Sequence, residues 1–269
     1  MSYTVRHPVN SPPVVARRFG LLSVATEAEG SPAPVGERVP FARGVDYYSD
    51  LCNVKTGSLE GWCTQDYDDD IDLDGYAPVR VEGKPHTVTS GAVCVAPAFD
   101  AEAAALKQLG IGEAWRAEQL FFQERMSSDD TRWLRSASEA SAAIGSLEWW
   151  AAKHYGGQPV LHVSTMLIPK LFRERLAVRV GDRIETPWGT PISVGAGYTD
   201  ELPNVILMTG QVFFWRTDPF VTKDFHARKN EQVALAERTY VFTSDCLSVA
   251  IETALCPEFA TPSPCEEGS

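Results

Sequence analysis

Residues 185–198 read ETPWGTPISVGAGY and hold two prolines, three glycines and two large aromatic side chains. Strand-forming residues flank the segment 187–191, at 183–186 and at 192–194. Prolines and glycines between two such runs are typical of a turn, so the sequence predicts two strands joined at this point. Gly195 and Gly197 are expected to mark the place where the second strand bends away.

These glycines do not predict a nucleotide-binding loop. A dinucleotide fingerprint requires a third glycine three residues on and a helix that begins there. Residues 198–203, YTDELP, instead lead into a loop and a further strand.

Other catalytic patterns are missing as well. The sequence contains no Walker, HExxH, GxSxG or SxxK motif. Its five histidines are scattered, without a serine or cysteine in a telling context: His7, His86, His154, His162 and His226. We therefore expect no catalytic residue, no cofactor-binding residue and no metal ligand, and we expect that the protein is not an enzyme.

Length and charge exclude further classes. The 269 residues are 44% hydrophobic, enough for a packed core in one large domain or two modest ones. With 24 Lys and Arg against 36 Asp and Glu, the net charge of −12 repels polyanions and anionic membranes. Nucleic-acid binding is therefore not expected to be the main source of affinity. The longest apolar runs, 205–208 and 212–215, are far shorter than the roughly 20 residues that span a bilayer.

The charge is unevenly distributed. Residues 45–75 carry nine acidic residues against the single Lys55. Residues 170–183 hold five basic residues, opposed only by Glu174 and Asp182. One copy's acidic segment could bind another copy's basic segment, or both could be solvated faces without a partner.

The cysteines and one acidic loop are the candidate metal or disulfide sites of this sequence. The six cysteines show no CxxC pair and no histidines at zinc-finger spacing, so their pattern does not predict a zinc site. Most are expected to be free thiols, although Cys52 and Cys63 could close a loop in a protein that functions outside a cell. Residues 70–75, DIDLDG, match the start of a calcium loop, but Val81 occupies the position of the bidentate glutamate. A solvated acidic loop is the better interpretation.

Two further polar positions have structural interpretations. His162 lies in an apolar segment and is expected to be a hydrogen-bonded core residue. Glu237 and Arg238 could form a buried pair in an active site, but such a pair more often ties a strand to a neighbouring loop or subunit.

The first 98 residues hold nine of the eighteen prolines and show no sustained periodicity. They are expected to be extended, with little core of their own. Within them, 77–82 and 87–89 predict a hairpin that turns at Gly83 and Lys84. A two-stranded ribbon alone is only marginally stable, so it needs a surface to lie against.

Helices are predicted next. Residues 100–126 favour one long helix with a weak point at Gly110 and Gly112, or two helices. Ser136–Glu139 matches a capping box before an amphipathic helix that ends at Gly156 and Gly157. A buried strand at 159–163 and a helix at 169–176 follow.

The last part of the chain predicts strands. Residues 205–208 and 212–216 are joined at Thr209 and Gly210. Residues 247–255 alternate between apolar and polar, which predicts a strand with one buried face. The segment 233–242 is expected to pair with it across 243–245.

Four motifs in order carry a resemblance to a known family: GQPVLHVS (157–164), TPWGTPISV (186–194), NVILMTGQV (204–212) and AERTYVF (236–242). This order resembles the major capsid proteins of tailed bacteriophages, whose HK-ninety-seven shell fold is shared with encapsulins. In that family a short strand and helix precede a W-G-x-P hairpin, a strand ending near glycine and a strand with an E-R pair. The resemblance covers roughly residues 136–255, and the first third agrees only in the order of its elements.

The resemblance implies an α+β fold with an N-terminal arm, an extended β-ribbon loop, a long spine helix and mixed α/β domains. Trp188 would pack in a hairpin of the capsomer-centre domain. The implied divisions are an arm (1–45), an extended loop (46–98), a spine helix with the peripheral domain (99–135), a capsomer-centre domain (136–240), a return strand (241–256) and a C-terminal tail (257–269).

The implied function is structural. Many copies would form hexamers and pentamers and close into an icosahedral shell around the double-stranded DNA of a tailed phage, without sequence-specific DNA binding and without a membrane. The protein would be part of the virion, assembled in the cytoplasm of the host bacterium. Portal, scaffolding or decoration proteins are further partners that the family allows. Scaffolding is expected to be separate or dispensable, and no partner asparagine for a covalent crosslink to Lys55 or Lys84 can be identified.

Three alternatives stay open at this point. The same fold could form an encapsulin-like compartment around a protein cargo. The chain could be another virion component, such as a head-tail connector or a tail protein. It could also be a hydrolase with an unrecognised site, against which the missing catalytic patterns count.

Overall fold

The computed structural model describes residues 19–28, 41, 43–52, 78–95, 100–198 and 203–253. The helices in these ranges are α1 (Leu21–Val24), α2 (Ala101–Met126), α3 (Ala140–His154) and α4 (Ile168–Arg173). The strands are β1 (Thr26–Glu27), β2 (Val45–Ser49), β3 (Val79–Gly83), β4 (Pro85–Val95), β5 (Arg132–Trp133), β6 (Val160–Ser164), β7 (Val178–Val180), β8 (Arg183–Glu185), β9 (Ile192–Gly195), β10 (Val205–Thr209), β11 (Val212–Arg216), β12 (Phe220–His226), β13 (Glu231–Ser244) and β14 (Ser248–Glu252). No helix in the described ranges is long and apolar enough to cross a membrane.

The long strand β13 organises the first sheet. β11 and β12 pair with it one after the other along one edge, and β4 pairs along the opposite edge. β1 adds to β11 in parallel. α2 packs across one face of this sheet, where Ala234, Ala236 and Tyr240 are buried.

The second sheet has the strand order β5-β14-β10-β6-β9. Its central strands are buried on both faces because each face belongs to a different core. Ile206 and Val249 lie in the cluster that contains Leu147 of α3, whereas Leu207 and Ala250 lie in the cluster that contains α2. The prediction of a single buried face for 247–255 is therefore wrong.

α2 is one continuous helix, which confirms the first of the two predicted alternatives. The side chain of Asp100 caps it by accepting hydrogen bonds from the backbone N–H groups of Glu102 and Ala103. The helix continues through Gly110 and Gly112, and a Cβ atom at either position would have no neighbour within 4 Å.

The helix predicted after 136–139 is confirmed as α3, but its capping box is wrong. Glu139 is the N-cap residue, and no side chain there makes a capping hydrogen bond. The backbone N–H of Ala137 donates to the carbonyl of Glu252 instead, and Ala137 forms a bridge with Thr253. Pairing with the end of β14 keeps this segment extended, so the helix begins later.

The strands predicted at 77–82 and 87–89 exist as β3 and β4, but they do not form a hairpin. β3 pairs with β2, and β4 pairs with β13. At Gly83 a Cβ atom would lie 2.7 Å from Cγ1 of Val241 and 3.0 Å from the carbonyl oxygen of Phe242. At Gly83 the chain therefore passes in close contact with β13. It continues from the β2–β3 pair into the first sheet without a hairpin turn.

The predicted pairing of 233–242 with 247–255 is also wrong. β13 and β14 belong to different sheets, because the chain between them passes from the first sheet to the second. The same holds for β10 and β11, which are joined at Gly210 and Gln211 and belong to different sheets. Each of these short connections thus takes the chain from one sheet to the other. Strands so close in the sequence more often pair with each other as a hairpin.

Residues 19–28 differ from the expectation that the start of the chain is extended, because 21–24 form the helix α1 and the segment packs against later parts of the same chain. Leu21 is fully buried, and α1 packs against α2 and β9. The backbone N–H of Val194 donates to the carbonyl of Phe19 at 2.6 Å. The guanidinium of Arg216 binds both carboxylate oxygens of Glu27 at 2.8 and 3.0 Å. This short segment is therefore part of the body of the molecule.

β2 and β3 form a separate antiparallel pair, which we call the ribbon base. The segment 53–77 that joins them, including the calcium-like sequence at 70–75, lies outside the described residues.

Candidate functional site

The turn within 185–198 is held by Thr186. Its backbone N–H donates to the carbonyl of Thr190 at 2.8 Å, and its hydroxyl donates to Oε1 of Glu148 on α3 at 3.0 Å. Gly189 has a φ of 91°, a conformation that favours glycine. The predicted turn between two strands is confirmed, although β8 and β9 share only the bridge between Glu185 and Pro191.

Trp188 lies on this turn and is 76% exposed, so the expectation that it packs is wrong within the single chain. The turn around it is fixed by hydrogen bonds to the body. A large aromatic side chain presented in this way is typical of a contact with another protein.

Gly195 at the end of β9 and Gly197 just after it allow a loop to touch α2. A Cβ atom at Gly197 would lie 2.4 Å from the carbonyl oxygen of Trp115 and 2.6 Å from the backbone nitrogen of Gln119. The N–H of Gly197 donates to Oε2 of the buried Glu118 at 3.1 Å. Protein atoms fill the space beside these glycines, so their role is close packing.

His162 is fully buried in β6, and the prediction of a hydrogen-bonded core histidine is confirmed. The Thr209 hydroxyl donates to the carbonyl of Gly210, so it accepts from Nε2 of His162 at 2.9 Å. Nδ1 then accepts from the hydroxyl of Tyr198 at 3.3 Å. The Tyr198 hydroxyl also lies 2.6 Å from Oγ of Ser193. This polar chain is closed to solvent and links β6, β9 and β10 of the second sheet with the loop at Tyr198.

Acid is expected to destabilise the protein through His162. Burial lowers the pKa of His162 to about 3. At pH values below the ordinary pKa of about 6.5, this histidine binds a proton in the unfolded chain but not in the folded chain. The free energy of unfolding therefore decreases as the pH is lowered from about 6.5 to about 3. Above that range the group contributes no pH dependence. Relative to His162→Gln, the wild type should lose about 2 kcal/mol more between pH 7 and pH 5 in urea unfolding.

His226 provides the control for this measurement, because it is exposed on β12. His226→Gln should follow the wild-type pH dependence. An unchanged pH dependence in His162→Gln would contradict a neutral buried histidine.

A buried carboxylate fastens the ribbon base to the body. Asp245 accepts hydrogen bonds from the hydroxyl of Tyr47 at 3.0 Å and from the hydroxyl of Tyr155 at 2.8 Å. The backbone N–H of Gln211 donates to the Tyr155 hydroxyl at 2.9 Å. We call Tyr47, Cys52, Tyr155, Asp245 and Cys246 the ribbon anchor.

Electrostatics keep the tyrosines of the ribbon anchor as donors. Burial, followed by the adjacent charge of Asp245, raises the pKa of Tyr47 above its usual value. Burial is the main cause that raises the pKa of Tyr155; the N–H of Gln211 opposes it, and the hydrogen bond to Asp245 raises the pKa further. Both hydroxyls therefore remain protonated and hold the carboxylate in place.

Two of the six cysteines are not free thiols, and the side chains of the other four lie outside the described part of the chain. Cys52 forms a disulfide with Cys246, with 6.1 Å between the Cα atoms. The alternative partner, Cys63, lies outside the described residues. The bond arises because Leu51 and Cys52 fold back onto the C-terminal end of α3, where the N–H of Gly156 donates to the carbonyl of Leu51 at 2.9 Å.

Glu237 and Arg238 do not act as a pair. Arg238 donates to Oε2 of Glu113 on α2 at 2.8 Å, and the hydroxyl of Tyr240 donates to the same oxygen at 2.8 Å. The expected tie exists, but it joins β13 to a helix of the same chain and not to a loop or another subunit. Among the described residues, no cluster of three or more metal-ligating side chains occurs.

One face of the first sheet exposes several large apolar side chains. Val93, Phe220 and Leu235 are 62%, 50% and 41% exposed. The strand register places them on the face opposite α2, since Leu235 lies between Ala234 and Ala236, which face that helix. We call the region around these three residues the open face, and neighbouring exposed apolar side chains are typical of a protein contact surface.

The basic segment 170–183 forms α4 and the hairpin of β7 and β8. Arg173, Arg175, Arg179 and Arg183 are exposed there, and Lys170 forms an ion pair with Glu174 at 3.7 Å. Most of the acidic segment lies outside the described residues. The matching of these two segments between copies stays a proposal.

Comparison with known proteins finds similarity only in structure: no protein-family model matches the chain, and no curated protein does. The capsid of a native GTA particle is 13% identical, with 94% of this chain and 96% of that chain covered and a TM-score of 0.58. The mature capsid of bacteriophage PhiM1 is 10% identical, with 96% and 93% covered and a TM-score of 0.54. The SrpI encapsulin complex from Synechococcus elongatus is 11% identical, with 92% and 92% covered and a TM-score of 0.53. Such likeness establishes a shared fold over nearly the whole chain.

The ribbon anchor is the feature that sequence reasoning missed. Its contacts join residues as far as 198 positions apart, and no local motif connects them. The available signal was Asp245, a single carboxylate between two strongly apolar strand segments. A charge in that position predicts a buried group with specific partners.

Proposed function

We propose that this chain, which has the HK-ninety-seven-like capsid fold, is the major capsid protein of a tailed phage. Many copies form hexamers and pentamers that close into an icosahedral shell around double-stranded DNA. The observation that carries this proposal is the structural match to a particle capsid over 94% of this chain and 96% of the other. The role is structural, the protein acts without catalysing a reaction, and its location is the virion after assembly in the host cytoplasm.

The surfaces of the single chain support assembly with other copies. The open face of the first sheet exposes Val93, Phe220 and Leu235, and the turn at Trp188 exposes a further aromatic residue. Closed symmetric assembly would cover such surfaces on every copy. The division into arm, extended loop, spine helix, capsomer-centre domain, return strand and tail is part of this proposal.

The ribbon base offers a further surface to other copies. Tyr47 on β2 is fastened to the body, whereas Tyr48, the next residue, is 66% exposed. We propose that the ribbon lies across a neighbouring copy, as the resemblance implies.

The charge of the chain fits a container for DNA. A net charge of −12 makes specific or tight DNA binding unfavourable, so the genome would be enclosed without sequence-specific contacts. Portal, scaffolding and decoration proteins are compatible additional partners.

An encapsulin-like compartment is the second candidate, because an encapsulin shell matches over 92% of this chain. Both candidates predict closed particles, and they differ in the contents. Nuclease-protected double-stranded DNA favours the phage shell, whereas a protein cargo favours the compartment.

Electron microscopy of the purified full-length protein tests the proposal. We expect closed particles of uniform size with icosahedral symmetry, and nuclease-protected DNA in particles purified from their source. Rings or tubes would indicate a head-tail connector or tail protein and would contradict the proposal. A monomer with turnover on esters or phosphates would contradict it too.

A further inference from the structure

The disulfide of the ribbon anchor joins the ribbon base to the body of the protein. Cys52 lies three residues after the end of β2, and Cys246 lies between β13 and β14, 194 positions later. The bond therefore connects the start of the ribbon to the junction of the two sheets.

Other contacts hold the two cysteines close to each other. Cys52 forms a backbone bridge with Tyr155, and the N–H of Asp245 donates to the carbonyl of Gln211 at 3.0 Å. Tyr47 and Tyr155 meet on the carboxylate of Asp245. Because these contacts do not involve sulfur, the site is preorganised, and the bond can form or break within the same fold.

We propose that Cys52 and Cys246 are a redox-controlled fastening site. Both are thiols in the reducing compartment where the chain is made, and they form the disulfide after release into an oxidising medium. The bond then fixes the ribbon base permanently to the body. This goes beyond shell formation, which the proposed function assigns to non-covalent contacts between copies.

The oxidant is a low-molecular-weight disulfide such as oxidised glutathione. Cys246 is the more exposed of the two cysteines, so its thiolate attacks first, forms a mixed disulfide and releases one small thiol. The thiolate of Cys52 then displaces the second small thiol and forms the protein disulfide. Two electrons and two protons pass from the protein to the two small thiols.

The expected consequence is a large change in stability. A bond between residues 194 positions apart removes much of the conformational entropy of the unfolded chain. For a chain of this size, we expect the melting temperature of the oxidised protein to exceed that of the reduced protein by roughly 10 °C.

The experiment compares full-length protein in oxidised glutathione with the same protein in a reducing agent. Peptide mapping without reduction should identify a crosslinked peptide that contains Cys52 and Cys246. Cys52→Ser and Cys246→Ser should melt at the temperature of the reduced wild type in both media. Cys63→Ser is the matched control and should behave as the wild type does.

A second measurement tests the timing of the bond. Thiols alkylated at the moment of cell lysis should show both cysteines modified, whereas released protein should show the crosslinked peptide. A bond already present inside the cell would overturn redox control. A Cys52–Cys63 peptide, or equal melting temperatures in both media, would overturn the fastening site.

These readouts use the wild type, so failure of a serine variant to fold leaves the test intact. They also do not depend on particles. Loss of particle formation would count against the proposed function, whereas absence of the crosslink counts only against the fastening site.

Discussion

Gly197→Ala is expected to destabilise the protein by about 3 kcal/mol, because an added methyl group collides with the backbone of α2. The Cβ atom would lie 2.4 Å from the carbonyl oxygen of Trp115 and 2.6 Å from the nitrogen of Gln119. Both are main-chain atoms of a helix, so no side chain can rotate away. Urea unfolding of the full-length chain should show a lower midpoint, and the melting temperature should fall by roughly 6–12 °C.

Gly112→Ala is the matched control, because it adds the same methyl group to α2 itself. A Cβ atom at Gly112 meets nothing within 4 Å. This variant should gain about 1 kcal/mol, since alanine favours a helix interior over glycine. Equal stability of Gly197→Ala and the wild type would show that the loop does not pack against α2 as described.

Removal of residues 1–18 is expected to abolish particle formation and to leave the chain folded. This segment holds Pro8, Pro12 and Pro13 and has no periodic apolar face, so it lacks a core of its own. Such a segment orders only by burying itself against a partner, which in a shell is a neighbouring copy. Electron microscopy and sedimentation would measure the particles, and circular dichroism would measure the fold.

The length of this truncation follows from the structure. A deletion extended to residue 28 would remove the fully buried Leu21 and the ion pair of Glu27 with Arg216. That longer variant should be destabilised as a single chain, so it serves as the contrast. Intact particles from the chain that lacks only residues 1–18 would contradict the role of the arm.

Elements with strong local signals could be predicted. The apolar repeat of α3 and the rich helix-forming composition of α2 located both helices, because each signal is contained within one segment of the chain. The turn at 187–191 was also predicted, because proline and glycine restrict the local backbone. His162 was correctly interpreted, since a polar residue in an apolar strand requires hydrogen-bond partners.

Strand pairing could not be predicted in the same way. Gly83, and the connections at Gly210 and Asp245, carry the chain between sheets where sequence proximity favours hairpins. Which strand pairs with which depends on contacts far apart in the sequence, and a short connection is compatible with either outcome. The capping box at 136–139 failed for the same reason, because pairing with the end of β14 is a distant contact.

The amino-acid sequence alone determined the class of this protein: acidic, α+β, without a recognisable catalytic motif, and ordered like a capsid chain. These properties depend on composition and on patterns within short segments. Only the tertiary structure decided that Cys52 meets Cys246, that Asp245 holds two tyrosines, that residues 19–28 belong to the body and that Trp188 is exposed. The first three are contacts between residues that are far apart in the sequence and meet only in the folded chain. The exposure of Trp188 likewise depends on how the rest of the chain packs around its turn.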